Sequence, residues 1–266
     1  MFEGERGDKM ICEDFFNSVT ERAKKYKYSS MSYIDFDECK HAEVLFDCDD
    51  LILMRDSSKM PSMLYFATDD FEALVKIIAH LTGQLRLHFV PKEFAAGLKE
   101  IGFTDWGEYV DFFNTDLSKM VMGLDNVDEV EYLGINDCDE VSRVSKKCML
   151  QSRGFEGETS EWFAQWLNEN KVFVLRKNSA IVGYCCVSIY NKGTTLWIRE
   201  LAVDPVCQSR GLGKKLMAQA IKYGVESGAV KGFLAADVLN ENAIALYNKY
   251  GFYADNAESE LQMIRQ

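Results

Sequence analysis

Gln208-Ser209-Arg210-Gly211-Leu212-Gly213-Lys214-Lys215 is the stretch on which the fold turns. An apolar, strand-like segment, Thr195–Val203, precedes it and ends in Asp204-Pro205. After it, Leu212, Leu216, Ala220 and Tyr223 recur at helical spacing. A strand therefore feeds a Gly-containing loop that opens a helix. Glycine frees backbone N–H groups to point into such a loop and lets a ligand approach closely. The helix N-terminus adds partial positive charge, and Arg210 and Lys214 add full charges. That combination suits a phosphate or pyrophosphate. A helix capped by a Gly-rich turn has the same appearance, so the loop alone leaves both open. It is not a Walker loop, since the Gly-Lys-Ser/Thr ending is absent. It also lacks the third glycine and the later acidic residue of the dinucleotide fingerprint.

Downstream, residues 232–239 alternate loosely as a strand. They follow a long helix, so parallel pairing with Thr195–Val203 is expected. Then comes Asn240-Glu241-Asn242-Ala243-Ile244-Ala245-Leu246-Tyr247-Asn248-Lys249-Tyr250-Gly251-Phe252. Asn240 is a good helix cap and Gly251 a helix stop. Ala243, Leu246, Tyr247 and Tyr250 share one helical face, which on pattern alone makes Tyr247 a core residue.

Together, residues 195–252 closely resemble the GCN5-related N-acetyltransferase (GNAT) family. Gln208 through Gly213 satisfies the family's Gln/Arg-x-x-Gly-x-Gly/Ala cofactor motif. Glu200-Leu201-Ala202-Val203-Asp204-Pro205 resembles its fourth strand, and Asn240 through Phe252 its next motif. Three motifs in order are far more specific than any one. The resemblance implies an α/β fold with a mixed sheet, the GNAT acyltransferase fold. It also implies that acetyl-CoA enters a V-shaped opening where two parallel strands splay apart, here Thr195–Val203 and 232–239. A bulge is expected near residues 201–203. By the family match Leu201 and Val203 contact the cofactor arm. Gln208, Arg210, Gly211, Leu212, Gly213 and Lys214 hold the pyrophosphate, and Asn240 lines the same site. Tyr247 matches the thiolate acid. Ala235 stands near the position where many relatives carry a carboxylate, so the base is left to Glu200 or Asp237. Glu200 is equally readable as a salt-bridge partner of Arg199.

The implied activity is transfer of the acetyl group of acetyl-CoA to a primary amine within a ternary complex. The acceptor is a small-molecule or peptide amine. Two alternatives are a CoA-binding module with little turnover and an enzyme using another acyl-CoA.

Upstream the resemblance weakens but reaches about Val130. Residues 130–135 read as a strand, 137–150 as a helix, and 161–167 as a helical piece with Trp162 and Trp166 four apart. Three strands with short loops follow: 172–176, Ala180–Tyr190 and Thr195–Val203. In the first half, 11–26 reads as a helix, 43–54 as a strand broken by Asp47-Cys48-Asp49-Asp50, and 63–67 as a buried strand. Asp69-Asp70 opens a helix ended by Gly83, 85–90 is a strand, and Pro91 opens a helix ended by Gly102. Residues 105–122 are aromatic-rich and read as helical. An acidic, aperiodic stretch at 123–128 suggests domains of 1–125 and 126–266. Pro91 through Phe103 overlays Asn240 through Phe252 without a gap, with Leu98 at the Tyr247 position. Two GNAT-like domains in tandem are therefore expected. The first would be degenerate, with Asp69-Asp70 repelling a pyrophosphate; an unrelated α/β accessory domain is the alternative.

Composition agrees with a folded body: 266 residues, 47% apolar, 27% charged and only 3 prolines. Thirty basic against 42 acidic residues gives a net charge of −12. A body that acidic repels nucleic acid and anionic membranes and attracts amines. The N-terminal residues carry no secretion-signal pattern, and no apolar run nears the ~20 residues of a membrane helix. None of the 8 cysteines forms a CxxC pair, and a reduced, cytoplasmic protein is expected. Cys185 and Cys186 read as buried hydrophobes. Cys39, His41 and Cys48 match no zinc spacing, so no metal is expected. Monomer and homodimer both remain open.

Overall fold

A computed structural model describes residues 11–31, 34, 36–121, 129–254 and 259–266. In chain order the first elements are α1 (Glu13–Ala23), β1 (Tyr28–Ser29), α2 (Phe36–Cys39), β2 (Glu43–Asp47), β3 (Leu51–Asp56), β4 (Ser62–Thr68), α3 (Phe71–Ala79), β5 (Leu85–Pro91) and α4 (Ala95–Glu100). β6 (Thr104–Asn114), α5 (Ser118–Val121), β7 (Val130–Tyr132), α6 (Cys138–Lys147) and α7 (Ser160–Trp166) follow. The rest are β8 (Lys171–Lys177), β9 (Ala180–Tyr190), β10 (Thr195–Val203), α8 (Leu212–Glu226), β11 (Lys231–Asp237), α9 (Glu241–Lys249), β12 (Tyr253–Ala254) and β13 (Glu260–Arg265).

The chain divides into two compact units, Met1–Glu108 with Glu258–Gln266, and Tyr109–Ala257. This differs from the division expected near 125. Of that acidic stretch, residues 123–128 lie outside the described residues, and the structural division falls inside β6. Residues 105–114 are strand rather than the expected helix. Trp106, Tyr109, Val110, Phe112 and Phe113 are strong strand formers. In the 109–114 stretch, Phe112 and Asn114 are buried while Phe113 is exposed, the period-two pattern of a strand.

In the second unit the strand order is β7-β8-β9-β10-β11, then residues 109–114 of β6, with β12 on β6. Every pair is antiparallel except β10 with β11. The β9–β10 pair shifts register between Ile198 and Glu200, so the bulge sits at Arg199. That is two residues earlier than expected, because Arg199 is drawn out onto α7: its guanidinium lies 4.3 Å over the Trp162 ring and 5.5 Å over Trp166. One face of the sheet packs on α8 and α9 through Leu196, Ile198, Val203, Leu216, Ala220, Leu234 and Tyr247. On the other face, α6 and α7 pack through Val141, Val144 and Phe163 against Val172, Val174 and Tyr184.

The first unit repeats this plan. β2, β3 and β4 form an antiparallel meander, α3 crosses over, and β5 pairs parallel to β4. β13 then lies antiparallel to β5, as β6 lies antiparallel to β11. The two overlaid segments each hold a helical stretch followed by a glycine and a phenylalanine. Pro91 caps the helical stretch 92–100 and Asn240 caps α9, while Gly102 (φ +92°) and Gly251 (φ +74°) end them. Phe103 and Phe252 behind those glycines are both buried.

One feature separates the units. β4 gives one edge wholly to β3, and β5 takes only Ser62–Leu64 of the other. The rest of that edge is filled by the chain itself. Tyr28 and Ser29 pair with Thr68 and Ala67, and Ser30 N donates to Phe66 O at 2.9 Å. The Tyr28 ring meets Phe71 and Phe94 edge-on, and its hydroxyl donates to Glu93 at 2.9 Å.

Among the described residues no helix is long and apolar enough to cross a membrane. None of the His, Cys, Asp and Glu there form a cluster of metal-ligand type.

Candidate active site

β10 and β11 pair only through Thr195–Lys231, Leu196–Gly232 and Trp197–Phe233. Past that point β10 continues to Val203 and β11 to Asp237 without pairing, so the two parallel strands open toward their carboxyl ends. The expected V is there, and α8 begins beyond its mouth. Asp204 turns the chain: its side chain accepts from Val206 N at 3.2 Å and takes an ion pair from Lys147 at 2.8 Å. Ser209 (φ +60°) and Gly211 (φ +78°) both adopt left-handed backbone. For Gly211 this is the helix cap itself, and a Cβ there would meet nothing within 4 Å.

Among the described residues, the backbone amides of Ser209, Arg210, Gly211, Leu212 and Gly213 donate to no protein acceptor. Five consecutive free donors at the head of a 15-residue helix are an arrangement that can bond an anion. Arg210 and Lys214 are exposed beside it, and Arg210 reaches back to Val206 O at 3.3 Å. Gln208 plays a different part. Its side-chain amide donates to Val203 O at 3.1 Å and to Gln151 at 2.7 Å, and its backbone N–H to Pro205 O at 3.4 Å. As placed, it braces the loop rather than offering a free donor. Leu201 packs beside Gly213, and Val203 is buried in the core under α8. Asn240 caps α9, accepting from Ala243 N at 3.2 Å.

Tyr247 lies in α9, 8% exposed, with its ring 6.1 Å from that of Phe112. Its hydroxyl bonds to no other described residue. Burial raises its pKa, with Cys185 acting in the same direction, so the phenol keeps its proton.

Glu200 points to the α6–α7 face, opposite Cys186. It accepts from Tyr184 Oη at 2.9 Å and pairs with Arg199 at 2.8 Å. The same Arg199 nitrogen binds Glu158 at 3.0 Å. Burial pushes the Glu200 pKa up, Glu158 adds to that, and Arg199 and the Tyr184 hydroxyl oppose it; the net shift is upward. Asp237 behaves otherwise. It is 3% exposed and gripped by Arg153 at 2.6 Å, with the amides of Arg153 and Leu239 at 2.8 and 3.0 Å. Burial alone would raise its pKa, but these donors outweigh it and lower it. A carboxylate so fully bonded holds the loop before α7 rather than accepting a proton. Arg153, Tyr184, Glu158 and Ser145 carried no motif. They are linked to Glu200 and Asp237, directly or through one another, by contacts 13 to 84 residues apart in sequence.

The family model described as the acetyltransferase (GNAT) family matches residues 139–252. An uncharacterized N-acetyltransferase of Methanocaldococcus jannaschii is 32% identical over 101 residues, which is 35% of this chain and 45% of that protein. The chain thus spans less than half the length of that curated relative. A functionally unknown conserved protein of Staphylococcus epidermidis has a TM-score of 0.57 at 14% identity, covering 89% of this chain and 99% of that one. A tandem GNAT protein from the clavulanic acid biosynthesis pathway has a TM-score of 0.56 at 13% identity, covering 81% and 78%. Both structural likenesses concern the fold.

Proposed function

From the match of residues 139–252 to the GNAT acetyltransferase family, we propose that the chain transfers the acetyl group of acetyl-CoA to a primary amine in a ternary complex. The observation that carries this is the row of five unengaged amides at the mouth of the splayed strands. It fits a pyrophosphate in charge and in donor count. The pantetheine arm then lies between β10 and β11. Main-chain groups of residues 200–203, unpaired on the side away from β9, bond the arm. One donor aimed at the thioester oxygen stabilises the tetrahedral anion. Glu200, its pKa raised toward neutrality, takes the ammonium proton directly or through water. Tyr247 hands its proton to the departing thiolate.

The Arg199–Glu200 ion pair favours a second reading, a CoA-binding module with little turnover. Calorimetry with acetyl-CoA, followed by thiol release across a panel of amines, separates them. Binding with turnover supports the enzyme, binding without turnover the module, and no binding sinks both.

In the first unit, Asp69 and Asp70 stand where the cradle would be, and residues 28–30 fill the edge of β4 that the arm would need. That unit serves as a degenerate companion that takes no CoA.

A further inference from the structure

Glu158 has no part in the acetyl transfer described above, yet the fold fixes it closely. It stands in the loop two residues ahead of α7. Its N–H donates to Ser145 Oγ at 2.8 Å, and its carbonyl accepts from Ser142 Oγ at 2.7 Å. Both serines are buried on α6, one turn apart. Gly157 makes this approach possible. It has left-handed backbone (φ +74°), and a Cβ there would lie 2.8 Å from Lys146 Cα. The main chain thus delivers the Glu158 side chain to the face where Glu200 points.

There the two carboxyl groups meet on one atom. Arg199 Nη1 donates to Glu158 Oε1 at 3.0 Å and to Glu200 Oε1 at 2.8 Å. The two glutamate side chains also hydrogen-bond to each other. A bond between two carboxyl groups needs a proton, so the pair holds one between them and titrates as a unit. Doubly ionised, it would set two negative charges against the one guanidinium in a partly buried place. The other titratable groups close by stay neutral: burial pushes up Tyr184, Cys185 and Cys186 of β9. α6 faces the pair with Ser142 and Ser145, and α7 with the Trp162 ring beneath Arg199.

Glu200 is the inner member, its side chain 11% exposed against 23% for Glu158. A proton taken by Glu200 must leave before the next turnover. Tyr184 offers no way out, since its hydroxyl leads on to Ser145, which is fully buried. Glu158 reaches solvent.

We propose that Glu158 is a positioning residue for the base: it shares the Arg199 guanidinium with Glu200 and passes to water the proton that Glu200 takes from the ammonium. This rests on the acetyl-transfer reading above, with Glu200 as its base. The ammonium N–H bond breaks, its electron pair stays on nitrogen, and the proton moves to a Glu200 oxygen. The pair then gives up one proton to water through Glu158 and returns to its starting state.

The test is kcat/KM against pH, by thiol release from acetyl-CoA with the best of tyramine, spermidine and a lysine-containing peptide. Glu158→Gln removes a negative charge beside Glu200, so the rising limb should move to lower pH by about one pH unit, opposite to the effect of Arg199→Gln. The plateau should fall roughly tenfold, less than the loss of the base itself. Glu158→Asp keeps the charge and should keep the wild-type limb. In a Glu200→Gln background, Glu158→Gln should cost nothing further, since a relay has no use without its base. A folding defect lowers activity at every pH and leaves the limb in place. A limb unmoved in Glu158→Gln, or full additivity in the double variant, overturns the role of Glu158 while leaving acetyl transfer standing. A limb that survives Glu200→Gln overturns Glu200 as base and the relay with it. Absence of thiol release with all three amines overturns acetyl transfer as well.

Discussion

Arg199 is ion-paired to Glu200 at 2.8 Å, and the bulge in β10 places the two side by side on one face. The guanidinium is also stacked on Trp162, so it cannot swing away without losing that contact. Arg199 thus sets how basic Glu200 is. Without it, burial and Glu158 would hold the proton more tightly still.

A pH dependence follows. If Glu200 accepts the ammonium proton, kcat/KM rises with pH on a limb above the ordinary glutamate range. Glu200→Gln should flatten that limb and lower the plateau by about 100-fold, the usual worth of a positioned base. Arg199→Gln should move the limb to higher pH. Stability has a matching sign. A carboxyl with a raised folded-state pKa favours folding below its unfolded value, and that advantage is lost as pH rises through the folded value. The stability of Glu200→Gln relative to wild type should therefore increase with pH. Denaturant melts at acid and alkaline pH read this directly; no change with pH would show that Glu200 does not titrate.

Tyr247→Phe isolates the other proton. The hydroxyl bonds to no described residue, so its loss leaves no buried group unsatisfied and should shift the melting temperature little. Turnover should fall by about tenfold or more while KM for acetyl-CoA changes far less. Tyr184→Phe is the control. Its hydroxyl bonds Glu200 at 2.9 Å and Ser145 at 2.8 Å, so this variant should lose about 1 kcal/mol of stability. Equal rates for Tyr247→Phe and wild type would transfer the acid role to water.

What could be read in advance was local. The Gly211 turn and the Gly251 stop depend on left-handed backbone, and the Asn240 cap on a short side-chain acceptor, all of which few residues supply, so they show in a single chain. The overlay of 91–103 on 240–252 was readable for the same reason. β6 was misread because Trp106, Tyr109, Phe112 and Phe113 fit a helical spacing until their strand partners are known. Arg153 was missed because its ion-pair partner, Asp237, lies 84 positions later. Pairing of residues 28–30 with β4, across 36 or more positions, has no local mark either.

That pairing yields a count. Acetyl-CoA titrated against the full chain should saturate at one molecule per chain, because the first unit's opening is already filled by its own backbone. Arg210→Glu, which sets an anion beside the amides of residues 209–213, should abolish the heat of binding while leaving the melting temperature near wild type, since Arg210 is exposed. Tyr28→Ala removes two edge-on aromatic contacts and the hydrogen bond to Glu93. It should cost about 2 kcal/mol, without creating a second binding event. Two sites per chain in the wild type would mean that residues 28–30 yield to the cofactor.

Gly232 tests the root of the V. It sits in β11 opposite Leu196, the middle of the three pairs before the strands part. A Cβ there would lie 2.6 Å from Phe252 Cζ and 3.1 Å from Leu117 Cδ2. Phe252 is fully buried behind Gly251, so its ring has little room to retreat. Gly232→Ala should therefore destabilise by about 1–3 kcal/mol, the cost of overpacking a filled core. Since Phe252 is held by the turn that ends α9, the strain passes to the helix carrying Tyr247. Turnover should fall together with stability, and Gly232→Ala combined with Phe252→Leu should recover part of both. An alanine variant as stable as wild type would show that the ring moves freely and that α9 is not fixed by this contact.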